Sequence, residues 1–409
     1  MTEKVKYLFT IVLDMDITEP SGYKDFMWAI HLHQLNFEIL GLWPKDDIYE
    51  KNNLWSKFRI SIILCLIIFV AFVPTINAVI QVWSNMILVI DNLRIALTLL
   101  AALLKYVTIL RKRTVLLSII NMMAKDWITF KSNTERDMMI KQAQTARLVT
   151  VIGYFFMIIG ILGAIIPAIF GIQILSVTNH TDQHKALLFL TYDFYDSDKS
   201  PQFELTFCIH IVSLVLVGNV YMFVDSFLVL IILHVCGQLE NFRCRLINMV
   251  SCKNFDRKLN NIVASHLRVI RFADKIENTY SLMMLIMLLH FIIVFCLSGF
   301  CLLLEMEDIT TKIYFSIIML TILLINTFLY CAAGELLTEQ CNAVYHAICN
   351  LEWYKLESRN ARNLILLIIR ARHPCYITAG KIIPLTVATF SSVLKTSCGY
   401  ITFLLAKRA

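Results

Sequence analysis

The chain has 409 residues, of which 58% are apolar and only 16% charged, with a net charge of +7. Soluble domains carry roughly 45 to 50% apolar and about 25% charged residues, so water is excluded as the main solvent and a polytopic membrane protein is indicated. The basic residues are spread along several connections without a reading motif, which excludes nucleic acid as a partner.

Residues 1 to 25 are charged and broken by Pro20 and Gly22, so no cleavable signal peptide is expected. The stretch DFMWAIHLHQLNFEILGLWP sets Phe26, Ile30, Leu35 and Ile39 among polar neighbours, as an amphipathic segment at the inner leaflet would. Apolar runs then follow near 56–80, 84–108, 147–171, 204–233, 277–304, 312–336 and 376–405. Each meets the roughly 20 residues a helix needs to cross a bilayer, which predicts an all-α protein with seven transmembrane helices. Helical patterns continue beyond the membrane thickness over 110–147, 234–275 and 335–369, predicting a cytosolic layer of helices that pack on each other or on neighbouring subunits. Without a repeat period or matching halves, the chain reads as one membrane domain, 1–409. Within it lie an N-terminal segment (1–55), a six-helix part (56–336), an anchor helix (337–375) and a final helix (376–405).

Connections on the N-terminal side hold 28 Lys and Arg residues and those on the other side hold 5. The positive-inside bias therefore puts the N-terminus in the cytosol and the C-terminus outside. Asn179-His180-Thr181 is a glycosylation acceptor in the one sizeable outer loop. Most of the twelve cysteines fall inside spans or on the reducing side, leaving Cys208 and Cys301 as a conceivable single disulfide.

Ionisable groups inside spans are costly and each is a candidate for function. Asp91 and Arg94, three apart on the second span, can neutralise each other or stand beside a cavity. The fourth span carries Asp225, His234 and Gln238, and His266 and Glu277 lead into the fifth; packing across the inner membrane surface is the reading for both blocks. In the final span, about twelve strongly apolar residues contribute roughly 0.3 to 0.6 kcal/mol each, while Lys381 and Lys395 cost about 2.5 to 3.5 each at mid-membrane. These nearly cancel, so that helix is poorly suited to face lipid alone. Its Ser391, Ser392, Thr396, Ser397, Gly399 and Thr402 suit close packing or a wetted wall. Cys341, His346 and Cys349 do not share one helix face, and there is no HExxH, GxSxG or phosphate-binding glycine loop, so neither a metal, another cofactor nor an enzyme is expected.

From 328 to 405 the chain reads FLYCAAGELL, EWYKL, LIIRARHP, TAG and FSSVLKTSCGYITFLL in order. This string resembles the C-terminal third of insect odorant receptors, as do GLWP and the spacing of Asp225, His234, Gln238 and Tyr400. The resemblance implies a pore-lining final helix, a cytosolic anchor layer in a tetramer, and an odorant-gated non-selective cation channel in the dendrite membrane of olfactory sensory neurons. It further implies a ligand-tuned subunit acting beside a shared co-receptor. A small volatile odorant would bind among the outer halves of spans two, three, four and six. Gly160, Gly163 and Pro167 would open space or bend the third span. Leu88, Phe156, Ile211, Phe315 and Met319 would give an adaptable apolar lining, Asp91 would stand beside it, and Asn92 or Tyr154 would be the polar handle. About ten heavy atoms at roughly 0.5 kcal/mol each give a dissociation constant near ~10⁻⁴ M, hence broad tuning. Along the pore the resemblance places Ser392, Thr396 and Gly399, with Phe403 at the constriction and Lys407 one turn outward. Four copies of Lys407 and Arg408 around a pore mouth would repel cations, which favours a mixed channel. Two rivals are an insect gustatory receptor, whose last span usually carries Thr-Tyr and a distal Gln-Phe absent here, and a G-protein-coupled receptor, which has the opposite topology and an Asn-Pro-x-x-Tyr.

Overall fold

In the computed structural model the described residues are 22–43, 54–129, 132–170, 187–189, 199–247, 255–304, 310–351, 354 and 358–408. Asn179 and most of EWYKL lie outside them, as does the side chain of Lys407. Ten helices are described: α1 (Gly22–Ile39), α2 (Leu54–Gln81), α3 (Met86–Arg111), α4 (Arg113–Ile128), α5 (Asn133–Ile169), α6 (Gln202–Ile247), α7 (Phe255–Leu304), α8 (Thr310–Cys349), α9 (Ser358–Ala371) and α10 (Val387–Arg408).

Helices α2, α3, α5, α6, α7 and α8 are long and apolar enough to cross a membrane. At 1.5 Å per residue, the 46, 50 and 40 residues of α6, α7 and α8 run to about 60 to 75 Å, twice the thickness of a hydrocarbon core. The expected extensions beyond the bilayer are thus continuous with the spans. Helix α6 is central, with 78% of its apolar stretch buried, whereas α5, at 6%, lies at the periphery of the bundle. Helix α2 passes through a π-helical segment, Leu66–Phe72, just before Pro74. Proline lacks the N–H that an α-helix would use there, and the wider turn accommodates the fault.

The seventh span departs from its predicted limits. It begins at Val387 and not near 376, because Thr378–Ala379 and Ile383–Pro384 pair as a short antiparallel hairpin. Gly380 and Lys381 take φ of 66° and 60°, the two left-handed residues of its tight turn. A side chain at Gly380 would also meet Leu285 of α7 at 2.7 Å. Glu277 accepts hydrogen bonds from the Thr378 N–H (2.9 Å) and hydroxyl, and the Ser281 hydroxyl accepts from Lys381 N–H at 2.8 Å. The apolar letters of TAGKII disguise this turn as membrane span. With its 22 residues, α10 is about 33 Å long, enough to cross the hydrocarbon core.

A second correction concerns Lys105, counted by sequence among the cytosolic cations. Its ammonium is fully buried on α3, 2.6 Å from Asp225 Oδ2 of α6 and 3.2 Å from the Tyr330 hydroxyl of α8. It also donates to the Tyr221 carbonyl and lies 3.7 Å from the centre of the Tyr221 ring. One cation fewer leaves the inside bias intact. Asp91 and Arg94 do pair, at 2.9 Å, and Arg94 donates to Ser316 Oγ at 2.6 Å, tying α3 to α8. Cys208 and Cys301, the conceivable disulfide, are not joined to each other.

Below the spans, α1 and α4 pack on the extensions of α5, α6 and α7 through charged clamps. Arg136 holds Asp25 with two hydrogen bonds of 2.6 and 2.9 Å, and Arg245 holds Glu135 with the same pair of distances. Asp126 receives His234 at 3.2 Å and Arg268 at 2.7 Å, while Gln238 meets the Met139 sulfur at 3.3 Å. Asp225, His234 and Gln238 therefore each join α6 to a different neighbour. His33 of α1 is buried against Phe223 and Phe227, and burial, aided by the Arg147 guanidinium, pushes its pKa down to about 3. His266, stacked on Phe242, is pushed down to about 4 by burial first and Arg370 second.

Two outcomes are expected. Lys105→Met or Asp225→Leu alone strands a buried charge and costs about 3 to 5 kcal/mol, and the double variant recovers most of it, read as thermal unfolding in detergent. For His33 the unfolded chain takes up a proton below pH 6.5 and the folded chain does not until about pH 3. Stability that is whole above pH 6.5 is therefore lost as pH falls towards 3, at up to about 1.4 kcal/mol per unit. His33→Phe should flatten this acid limb in a pH series of unfolding midpoints.

Candidate functional site

In the half of the bundle away from the charged layer, five helices splay around a cavity of about 170 Å³. Its wall is formed by Ile95, Thr98 and Leu99 of α3, Met157, Gly160, Ile161 and Ala164 of α5, and Leu214, Val217 and Tyr221 of α6. Phe315, Met319 and Ile322 of α8 and His290 and Val294 of α7 complete it. Leu187, Leu188 and Phe189 lie over it as a cap, anchored where Phe189 N–H donates to His210 Nδ1 (3.4 Å) and its ring meets the imidazole edge-on.

The lining is apolar except on one side of the floor. There Tyr221, His290 and Thr98 come together, with His290 Nε2 3.4 Å from Thr98 Oγ1 and the Tyr221 and His290 rings 6.2 Å apart. Lys105 and Asp225 sit directly beneath the Tyr221 ring. Such a chamber holds a small apolar molecule by burial and orients it by a few polar edges.

Of the nine residues expected at a pocket, Gly160, Phe315 and Met319 line this cavity, and Phe156 lines a smaller one beside it. Asp91 stands behind the wall, paired with Arg94, whose guanidinium lies 5.8 Å from the Phe315 ring. Asn92 donates to the Leu88 carbonyl at 2.8 Å, and Leu88 packs with Val79, Val82 and Val89 near the α2–α3 turn. The Tyr154 hydroxyl donates to Asn219 Oδ1 at 3.2 Å between α5 and α6, and Ile211 packs on the main core. Span five and the cap were not anticipated. His290 carried a signal, being an ionisable residue within an apolar span; Thr98 and Met157 carried none.

On α10, Ser392, Thr396, Gly399 and Phe403 fall on one exposed face, with Lys395 among them. A side chain at Gly399 would meet nothing within 4 Å. The opposite face of α10 carries Val393, Ser397 and Ile401 and packs on α7. There Phe291, Val294, Phe295 and Cys296 form one cluster with Ile401 and Leu323, so a single stretch of α7 has the cavity on one side and α10 on the other. At its start, α10 is capped by the Thr386 hydroxyl, which accepts from Thr389 N–H, and by Glu335 of α8, which accepts from Val387 N–H.

Comparison with known proteins gives one consistent answer. Odorant receptor 10 of Aedes albopictus is 26% identical over 215 residues, covering 51% of this chain and 57% of the relative. Odorant receptor 22c of Drosophila melanogaster is 24% identical over 198 residues, 45% of this chain and 48% of the relative. The chain thus spans about half the length of the curated relatives it matches. The structure of the insect olfactory receptor OR5 from Machilis hrabei in complex with eugenol superposes with a TM-score of 0.78 at 18% identity, over 94% of this chain and 99% of that one, a likeness of fold. The sequence profile described as 7tm Odorant receptor matches residues 85–398, more than half of the chain, and this multi-pass membrane protein belongs to that family.

Proposed function

We propose that this chain is an odorant receptor, the ligand-tuned subunit of an odorant-gated, non-selective cation channel that works in a heterotetramer with a shared co-receptor. Its site of action is the dendrite plasma membrane of olfactory sensory neurons, with the N-terminus cytosolic, the C-terminus outside and Asn179 on the outer, glycosylated side. The observation that carries the reading is the apolar cavity of about 170 Å³ in a chain of this family. Engineered dry cavities of about 150 Å³ bind benzene, so the volume suits a volatile compound. The related OR5 was solved with eugenol, and a small, mostly apolar molecule with one polar group is the kind of ligand proposed here.

Two further features support a channel subunit. The face of α10 with Ser392, Thr396, Gly399 and Phe403 is too polar for lipid and is the proposed pore wall, Lys407 standing one turn beyond Phe403. Helix α9 buries Leu364 and Leu367 yet exposes Ile365, Leu366 and Ile369, a second apolar face that a neighbouring subunit would cover in the anchor layer.

Cells expressing both this chain and the co-receptor should pass a cation current that depends on the odorant, and cells with either chain alone should not respond to the same compounds. Failure of a broad volatile panel despite demonstrated surface expression would overturn the reading. Gly160→Phe, which fills the cavity, should raise the half-maximal odorant concentration by about tenfold or more while leaving surface expression unchanged. Lys395→Gln should raise single-channel cation conductance by removing a fixed positive charge from the proposed pore face.

A further inference from the structure

A second cavity, of about 80 Å³, continues the first along the groove between α5 and α8 towards the charged layer. The outer cavity touches Gly160 on α5 where the inner one touches Gly153, seven residues or about 10 Å along the same helix. Met222 and Ile322 line both and form the partition.

Met222 is built to move. Its side chain is unbranched, with three rotatable bonds and a soft sulfur that adapts to irregular space. Gly153 leaves room for it: a Cβ there would lie 2.7 Å from Met222 Cε. What holds the thioether in place is a contact of 3.7 Å between Met222 Sδ and Asn326 Nδ2, a hydrogen bond to a weak acceptor. Asn326 is 3% exposed and lines the inner cavity. A buried amide donor that rests on sulfur gains by exchanging it for a carbonyl oxygen.

We propose that the two cavities are the compartments of one elongated ligand site, with Met222 as the door between them. The ligand class is a straight-chain aliphatic carbonyl compound. Its carbonyl end passes a rotated Met222 to accept from Asn326 Nδ2, and its tail fills the outer cavity. Compounds too short to bridge stay in the outer cavity and do not move Met222. The proposal rests on the outer cavity being the odorant site, and it adds the depth of that site and the polar group at its end.

The test uses purified full-length receptor and a homologous series of methyl ketones, with the matching alkanes, and reads binding as the rise in unfolding midpoint. In the wild type, affinity should climb by about fourfold per added methylene up to the length that fills both compartments. Met222→Ala should strengthen binding of the longest ketones by about tenfold and weaken that of the shortest, which lose its contact in the outer cavity. Met222→Leu, similar in volume but stiffer, should weaken the longest alone. Asn326→Leu should abolish the preference for a long ketone over its alkane. A Met222→Ala effect equal at every length, or no binding of any ketone to either protein, would overturn the two-compartment site. Ketones that bind as described while evoking no current beside the co-receptor would leave it standing and overturn the channel reading instead.

Discussion

Everything in this bundle is built around the Lys105 ammonium and the Asp225 carboxylate, sealed from water where α3, α6 and α8 meet. Separately, neither charge is tolerable in an apolar interior, and together they are acceptable only because Tyr330, the Tyr221 carbonyl and the Tyr221 ring complete the shell around the cation. A pair so demanding of geometry allows one register of three helices and no sliding between them. That fixed point divides the molecule: the larger cavity lies on one side of it and the bidentate arginine–carboxylate clamps on the other.

The two sides differ in the kind of contact they use. Towards the helical extensions, α1, α4, α5, α6 and α7 are joined by bidentate arginine–carboxylate pairs and by aromatic stacking, which specify angles and distances. Towards the cap, the cavity wall is built mainly from methionines, glycines and aliphatic side chains, which fill space without directing it, and the Asp91–Arg94–Ser316 link stands behind that wall. A firm base under an accommodating upper half suits the proposed receptor role, in which ligands would enter the upper half without disturbing the base.

Much of this was legible in the letters. Span number, the helical extensions and the Asp91–Arg94 pair follow from hydropathy, length and spacing. Face was harder to read. Helices such as α5 and α6 are apolar all round, so periodicity cannot say which residues turn inward, and Leu88 and Ile211 were assigned to a pocket they do not line while Met157 and Met222 were passed over. Lys105 was misplaced because it ends an apolar run, where a lysine ordinarily reaches for the interface. The 378–384 hairpin escaped notice because its residues are apolar enough to pass for helix and its turn uses a glycine followed by a lysine, which carries no strong turn signature.

That hairpin decides how the last helix is mounted. Glu277 and Ser281 of α7 hold the turn, and Glu335 of α8 holds the first turn of the helix that follows. Further along, α10 touches α7 through softer contacts: the Cys296 thiol at 3.6 Å from the Ser397 carbonyl, and Ile401 lying so near Gly299 that a Cβ there would meet it at 2.5 Å. In mechanical terms it is a beam clamped at one end and lightly propped partway along, with its far end overhanging. A beam so mounted deflects most at its far tip, where Phe403 stands, and the rest on which it leans is the same stretch of α7 whose other side forms the wall of the larger chamber.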